Sequence, residues 1–278
     1  MYDDVLIATD GSDVATDAAT VGISLAQAFD ATVHALAVAE AKRGTDANRR
    51  EQREAAVDAI ATDAVEAGCT AESVVRTGRP ASEILAYADE ADADAIVVGT
   101  HGRTGLRQAL LGSVALEVVR DASQPVLTVG RETVDRDGIQ IDDVCLATDG
   151  SVGATAATEH ALSLAEACDA TVHALYAVDV SPEADAIREN FLEHGEQTTT
   201  GVEERATERG LETTRTVTEG TAHEVILDYV DAEAVDVLVM GTESKSNLER
   251  LVLGSVSQRV VPAASVPVMT VRTPTPEQ

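Results

Sequence analysis

Residues 95–102 read AIVVGTHG, a run of apolar residues that ends in a glycine-spaced turn. The run at 95–98 has no polar interruption and is rich in β-branched residues, which suits a strand buried on both faces of a parallel sheet. The turn carries Gly99 and Gly102, and glycine lets a ligand approach the backbone closely. The stretch therefore predicts a buried strand that leads into a loop open to a ligand.

A second glycine, Gly112, stands with Ser113 ahead of apolar residues at helical spacing, namely Val114, Val118, Val119 and Ala122. This spacing predicts a helix that begins at the Gly-Ser pair. The first amides of a helix have no partner inside it, so they form an anion site whose natural ligand is a phosphate. Ordinary turns are the alternative, because glycine spacing alone is a weak signal. The position of the glycines between a buried strand and a helix favours the phosphate interpretation.

The chain carries the same pattern twice. The tetrapeptide at 9–12 recurs 139 positions later at 148–151, and residues 30–36 recur at 169–175. The Gly-Ser pair at 112–113 recurs as Gly254-Ser255, where the offset has grown to 142, so three residues are inserted before Gly210 in the second copy. A repeat of this size predicts two domains, 1–130 and 140–273, with a charged linker at 130–138.

Strands and helices alternate within each copy. In the first copy we expect strands near 4–9, 32–38, 72–77, 95–98 and 125–129. This alternation predicts an α/β fold in which each copy is a doubly wound, five-stranded parallel sheet with helices on both faces. Ligands of such sheets bind outside the carboxyl ends of the strands. The glycine cluster follows the fourth strand, whereas a dinucleotide fingerprint would follow the first, and the chain has no Walker-type glycine-lysine-serine loop.

The charge and the apolar pattern of the chain argue against nucleic acid as a partner and against a membrane location. Among its 278 residues 49 are acidic and 20 are basic, which gives a net charge of −29. This charge argues against nucleic acid as a partner, because phosphate backbones are bound by basic surfaces. No apolar run approaches the ~20 residues of a membrane span, and the acidic start is unlike a signal peptide, so we expect a cytoplasmic protein. The surface resembles that of proteins from salt-accumulating halophiles, and we expect folding to fail at low salt.

Several polar side chains allow both a structural and a functional interpretation. Asp10 and Asp149 close the first strand of each copy, where an Asp forms turns or caps, accepts hydrogen bonds from ribose hydroxyls, or positions a metal ion. His34 and His173 lie inside strand runs, so we expect packed, hydrogen-bonded side chains rather than ligands. Arg103 would add positive charge near phosphates or stay solvated in its loop. The three cysteines are too scattered for a disulfide framework or a zinc site, and no metal ligands are predicted.

These motifs resemble those of the universal stress protein family, in particular its ATP-binding branch. The resemblance covers nearly the whole chain, once per copy, and rests on Thr9-Asp10 and on the 99–102 turn, which nine residues separate from Gly112-Ser113. It implies that ATP, with or without Mg²⁺, is held at the carboxyl edge of the sheet, with Asp10 at the ribose and the backbone near Val38 at the adenine. The residues assigned to the first site are Thr9, Asp10, Val38, Val98, Gly99, Gly102, Arg103, Gly112, Ser113 and Val114.

The second copy departs from this pattern in its loop. Ser244 stands in place of Gly102, and Glu243 replaces His101. A side chain on the loop narrows the approach to the backbone, and a carboxylate beside a triphosphate is repulsive. We therefore expect ATP binding in the second copy to be weaker or absent. The candidate contacts there are Thr148, Asp149, Ala177, Gly241, Gly254, Ser255 and Val256.

The sequence thus predicts a tandem protein that binds ATP and acts as a stress-response binding or regulatory module. It offers no catalytic constellation, so we expect no fast enzyme, although slow hydrolysis or self-phosphorylation near Ser113 stays open. One alternative is a nucleotide-activating ligase or nucleotidyl transferase on a related sheet, and another is a nucleotide-free dimerisation scaffold. The fifth strands, at 125–129 and 267–271, are expected to pair as an intramolecular pseudo-dimer, and further homo-oligomerisation is left open.

Overall fold

A computed structural model describes residues 1–40, 46–100, 111–130, 139–180, 185–242 and 253–272. The chain divides into two compact units, Met1–Ile139 and Gln140–Gln278, here called copy one and copy two. The predicted linker at 130–138 lies outside the described residues except for its first position. Each unit is described by itself.

Copy one alternates strands and helices as the sequence predicts. Its elements are β1 (Asp4–Thr9), α1 (Asp13–Phe29), β2 (Thr32–Ala39), α2 (Asp46–Glu66), β3 (Ala71–Thr77), α3 (Pro80–Glu90), β4 (Ala95–Gly99), α4 (Ser113–Asp121) and β5 (Val126–Val129). All neighbouring strands are parallel, in the order β3-β2-β1-β4-β5. The chain builds outward from β1 to one side and then returns to place β4 on the other. The strand order therefore reverses between β1 and β4, which is where doubly wound sheets bind ligands.

Copy two repeats this architecture. Its elements are β6 (Asp143–Ala147), α5 (Val152–Cys168), β7 (Thr171–Val178), α6 (Asp185–Glu208), β8 (Thr213–Glu219), α7 (Ala222–Ala232), β9 (Val237–Gly241), α8 (Ser257–Val260) and β10 (Val268–Val271). The strand order within the copy is β8-β7-β6-β9-β10, again parallel throughout. The predicted α/β fold class is confirmed in both copies.

The first helix of each copy shows why these residues fold as they do. The N-cap of α1 is Ser12, whose hydroxyl accepts from the Ala15 amide, and its C-cap is Asp30 in the left-handed conformation. In α5 the corresponding caps are Ser151 and Asp169. Gly22 lets α1 approach the sheet, because a Cβ there would lie 2.7 Å from the Ile7 side chain. The same local signals thus position the same helix twice.

The three-residue insertion lies within the second crossover helix. The start of α2 and the start of α6 are 139 positions apart, whereas the ends of the two helices are 142 apart. Accordingly α2 has 21 residues and α6 has 24. Nearly one turn is added to α6, and the strands on either side keep their register.

Candidate functional site

Copy one has a cavity of about 350 Å³ at the carboxyl ends of its central strands. Its walls come from the ends of β1, β2 and β4, from the first turn of α4, and from the sides of α2 and α3. The lining residues are Ala8, Thr9, Asp10, Ala15, Leu36, Val38, Glu40, Arg53, Pro80, Ile84, Val98, Gly99, Thr100, Gly112, Ser113, Val114 and Ala115. Every first-copy candidate that the structure describes is among them. Gly102 and Arg103 lie outside the described residues.

The loop after β1 is shaped by its own side chains. The Thr9 hydroxyl accepts from the Gly11 amide at 3.0 Å, and one carboxylate oxygen of Asp10 accepts from the Ser12 amide at 3.0 Å. Gly11 adopts φ 70°, a left-handed conformation that favours glycine. The structural interpretation of Asp10 as a turn-former is therefore confirmed, and the residue also lines the cavity.

The start of α4 presents backbone amides to the cavity. Gly112 is the N-cap, and its amide donates to the Thr100 carbonyl at 2.7 Å. The first intrahelical donor is Leu116, which donates to the Gly112 carbonyl. The amides of residues 113–115 precede that donor and have no partner within the helix. The prediction that the helix begins at Gly112-Ser113 is confirmed.

Gly99 has a packing role that the sequence did not reveal. A Cβ on Gly99 would lie 3.0 Å from Cγ1 of Val14 and 3.1 Å from the Val14 carbonyl oxygen. In copy two a Cβ on Gly241 would meet the backbone of Gly153 at 3.0 Å. These glycines let the first helix of each copy pack against the end of the fourth strand. Their presence is explained without a ligand, although both line a cavity.

The charged lining of the copy-one cavity includes a cation that was not predicted. Arg53 lies on α2, and its guanidinium donates to the backbone carbonyl of Asp10, 43 residues away. Glu40 follows β2 and lines the same cavity. Arg53 is the only Lys or Arg among the described lining residues. The sequence signal was weak, because α2 is rich in charged residues and most of them face solvent.

The copy-two cavity is smaller, at about 110 Å³. Each of its described lining residues occupies the position of a lining residue in copy one, at an offset of 139 or 142. They are Ala147, Thr148, Asp149, Ala154, Leu175, Ala177, Ala222, Ile226, Met240, Gly241, Thr242, Gly254, Ser255, Val256 and Ser257. The two substituted loop residues, Glu243 and Ser244, lie outside the described residues.

Several backbone hydrogen bonds around the cavity recur in copy two, although α8 begins at Ser257, two positions later in the repeat than α4 does. Thr148 accepts from the Gly150 amide at 3.2 Å, and Asp149 accepts from the Ser151 amide at 2.9 Å. The Gly254 amide donates to the Thr242 carbonyl at 2.8 Å. A Cβ on Gly254 would lie 2.8 Å from that same carbonyl oxygen, so the glycine is required by this close approach.

Comparison with known proteins agrees with this duplicated geometry. The model of the universal stress protein family matches residues 1–130 and again residues 140–272. The chain belongs to the universal stress protein family. Two family domains follow each other in tandem.

Individual relatives show different degrees of likeness. A universal stress protein of Methanocaldococcus jannaschii is 35% identical over 142 residues, which cover 48% of this chain and 84% of that protein. The crystal structure of a universal stress protein from Archaeoglobus fulgidus aligns with 98% of this chain and 99% of its own, at a TM-score of 0.77 and 22% identity. This likeness shows that the tandem fold is shared. A universal stress protein solved in complex with cAMP aligns with 49% of this chain and 99% of its own, at a TM-score of 0.42 and 22% identity.

The narrower cavity of the second universal stress domain accompanies a different use of space beneath α6. Tyr176, a buried residue of β7, occupies the position of Ala37 in copy one. Its ring meets that of His194 edge to face, with centroids 5.8 Å apart. A Cβ on Gly195 would lie 2.8 Å from the Tyr176 ring, so the glycine lets α6 pack closely on this side chain. In copy two the side of the sheet that α6 covers therefore holds an aromatic pair. In copy one α2 covers the same side, and Arg53 enters the cavity from there.

The strand histidines of this universal stress protein are structural, as predicted. His34 Nε2 lies 2.8 Å from Asp4 Oδ1, and its Nδ1 lies 3.0 Å from the Tyr87 hydroxyl. His173 makes the same two contacts at the same distances, with Asp143 and Tyr229. Burial, with Glu72 nearby, raises the pKa of Tyr87 above its ordinary value, which keeps its hydroxyl protonated. Each of these His-Asp-Tyr clusters joins two strands and a helix, and its residues do not line either cavity.

The described part of the chain offers little for metal chemistry or membrane insertion. Within the described ranges no group of three or more His, Cys, Asp or Glu side chains is arranged to hold a metal ion. Cys145 is buried, Cys69 and Cys168 are half-buried, and all three are free thiols. Every described helix is too short or too polar to span a bilayer.

Proposed function

We propose that this universal stress protein binds ATP in the copy-one cavity and acts as a regulatory module whose state depends on the nucleotide. The observation that carries the proposal is the composition of that cavity. Apolar side chains, an aspartate at the end of β1 and the first amides of α4 line one space of about 350 Å³. This volume lies within the range of ~300–1,000 Å³ that is typical of small-molecule sites, whereas the copy-two cavity falls below it.

Each part of the ligand has a matching group in the cavity. Leu36, Val38 and Ile84 provide an apolar wall for a base. The Asp10 carboxylate is an acceptor for ribose hydroxyls, and the α4 amides suit phosphate oxygens. The aspartate and the apolar wall also occur in copy two, as Asp149 and as Leu175, Ala177 and Ile226. The smaller volume of that cavity nevertheless supports the expectation of weaker or absent ATP binding there. Mg²⁺ would enter with the triphosphate, since this ion is commonly bound through substrate phosphates.

A regulatory role is favoured over catalysis. The described lining residues of copy one include no histidine and no cysteine, so this set holds no Ser-His or Cys-His pair for nucleophilic catalysis. The hydroxyl of Thr9 accepts from a backbone amide in its own loop. Rapid hydrolysis or nucleotidyl transfer would need groups beyond these. A nucleotide-activating ligase or nucleotidyl transferase is the enzyme alternative that the experiment below separates.

Calorimetry of the full chain in molar KCl tests the proposal. We expect about one ATP per chain, because copy two is expected to contribute little. Denaturing the purified protein and applying the supernatant to an anion-exchange column should release ATP. No heat of binding and no released nucleotide would favour the scaffold alternative. Pyrophosphate release with a panel of acceptor substrates would favour the enzyme alternative.

The setting of the protein is part of the same proposal. We assign it to the cytoplasm of a cell that accumulates salt, because its net charge of −29 is self-repulsive in dilute buffer. We also keep the pseudo-dimer as a proposal. β5 and β10 are each the last strand in the order of their own copy, and each is composed mainly of apolar residues. Strands in such a position are prone to pair with another strand.

A further inference from the structure

Arg53 is placed at the cavity by the packing of α2. Its position continues an inward-facing row of residues at helical spacing, in which Val57, Ile60 and Ala64 are buried. The helix returns from the carboxyl edge of the sheet to its amino edge, so its first turns lie near the carboxyl ends of the strands. Arg53 therefore reaches the cavity from an inward-facing position of α2 near that edge.

The surroundings of Arg53 are strongly acidic. Asp10 and Glu40 line the same cavity, and the chain as a whole has 49 acidic and 20 basic residues. An anionic ligand that enters this site meets repulsion unless a cation offsets it. Arg53 provides that cation among the described lining residues. A guanidinium also has five donors in a planar fork that matches phosphate oxygens.

Copy two provides an internal comparison. No Lys or Arg occurs among the described residues that line its cavity. Asp179, the counterpart of Glu40, instead accepts from the Ala222 amide at the start of α7, at 3.1 Å. Copy one has Pro80 at this helix position, which has no amide to donate. The two cavities thus share their backbone and apolar walls but differ in charged side chains.

We infer that Arg53 determines specificity at the copy-one site, by favouring phosphorylated nucleosides over the uncharged nucleoside. The inference deepens the proposed function and rests on it. The contact of Arg53 with the Asp10 carbonyl has a competing explanation, in which the arginine only supports the loop after β1. Loss of a support would weaken every ligand alike, whereas loss of a phosphate-binding cation would weaken charged ligands selectively. The two explanations therefore predict different ratios of affinity.

The experiment compares ATP with adenosine by calorimetry in the full chain, at one fixed KCl concentration. In Arg53→Gln we expect ATP affinity to fall roughly tenfold or more, because a charge-assisted contact is lost, and adenosine affinity to change less than twofold. The matched control is Arg50→Gln. Arg50 is on the same helix, is 58% exposed and pairs with Glu54, so the control removes the same charge away from the cavity and should leave both affinities unchanged. Arg53→Lys keeps the charge and should have an ATP-to-adenosine ratio between those of the wild type and Arg53→Gln.

The outcomes separate this inference from the proposed function. Equal losses for ATP and adenosine in Arg53→Gln would show a support role and overturn the inference, as would no loss at all. Either result would still agree with the proposed binding of ATP in copy one. If the wild type bound neither ligand, the proposed function would fail first. If Arg53→Gln did not fold, Arg53→Met, which keeps an apolar stem without the charge, would take its place, and an unchanged ATP-to-adenosine ratio in that variant would overturn the inference.

Discussion

The two copies of the repeat share a backbone and differ in what surrounds the same cavity. Copy one encloses about 350 Å³ and copy two about 110 Å³, although all described lining positions of the smaller cavity have counterparts in the larger one. In copy one the Arg53 side chain of α2 reaches the cavity. In copy two His194 of α6 instead packs against Tyr176 of β7. The turns after the first strands thus recur in both copies, whereas the side chains that the second crossover helix contributes to the packing differ.

The largest effect is expected from a carboxylate at the start of α4. Ser113 is exposed at the first position of this helix and lines the cavity. In Ser113→Glu an acidic group in the first turn is favourable for the helix, so the fold should survive. Two like charges ~4 Å apart near a protein surface repel by about 4 kcal/mol, so calorimetry should show ATP affinity reduced at least a hundredfold.

The matched control for this substitution is in copy two. Ser255 is the counterpart of Ser113, is exposed, and lines the smaller cavity. Ser255→Glu should leave the ATP affinity of the chain within twofold of the wild type. If Ser255→Glu were the damaging variant and Ser113→Glu were harmless, the assignment of ATP to copy one would be reversed. This pair avoids the glycines, because a side chain at Gly254 would collide with the Thr242 carbonyl.

Most of the fold could be predicted from the sequence because its signals are local. Apolar runs, caps such as Ser12 and the glycine turns each depend on a few neighbouring residues, and the repeat doubled each signal. The position of Arg53 could not be predicted in this way. It is a charged residue on a helix rich in charge, and only tertiary packing brings it to the Asp10 carbonyl. Cavity volume was equally hidden, since it depends on packing between elements that are distant in the sequence.

The glycines show the same limit at a finer scale. Gly99 was assigned to a ligand from its place after the fourth strand, and it does line the cavity. Its close contact with the Val14 backbone gives it a second explanation, because α1 could not pack there against a larger residue. A sequence motif cannot separate the two roles, since both favour a residue without a side chain.

A smaller effect, on stability, should separate the first helices of the two copies. Burial lowers the pKa of His160 on α5 to about 4, from an ordinary value of 6.5. The unfolded chain therefore binds this proton first, and the free energy of unfolding should fall as the pH falls from about 6.5 to about 4. The loss would reach roughly 3 kcal/mol, at about 1.4 kcal/mol per pKa unit. Copy one has Val21, fully buried, at this position and lacks this particular dependence.

Exchange of one side chain makes that difference measurable. His160→Val gives α5 the residue of α1, so denaturant unfolding of the variant should show a shallower loss of stability across that pH range. Above pH 7 the imidazole is neutral in both the folded and the unfolded state. The free energies of unfolding of wild type and variant should therefore change with pH to the same extent there. Curves that stayed parallel from pH 7 to pH 4 would mean that His160 is protonated equally in both states.

The smallest effect concerns what the duplication kept identical. Tyr87 and Tyr229 each place a hydroxyl 3.0 Å from Nδ1 of a buried histidine. Replacing either by Phe removes the hydrogen bond with the imidazole, which costs about 1 kcal/mol or slightly more. In Tyr229→Phe the Thr216 hydroxyl also loses its acceptor, which lies 3.4 Å away. Denaturant unfolding at one salt concentration should therefore give similar losses of stability in the two variants, slightly larger in Tyr229→Phe because of Thr216. If one variant lost several times more stability than the other, the two His-Asp-Tyr clusters would differ in strength despite their equal distances. The divergence between the copies would then extend beyond the cavities into their cores.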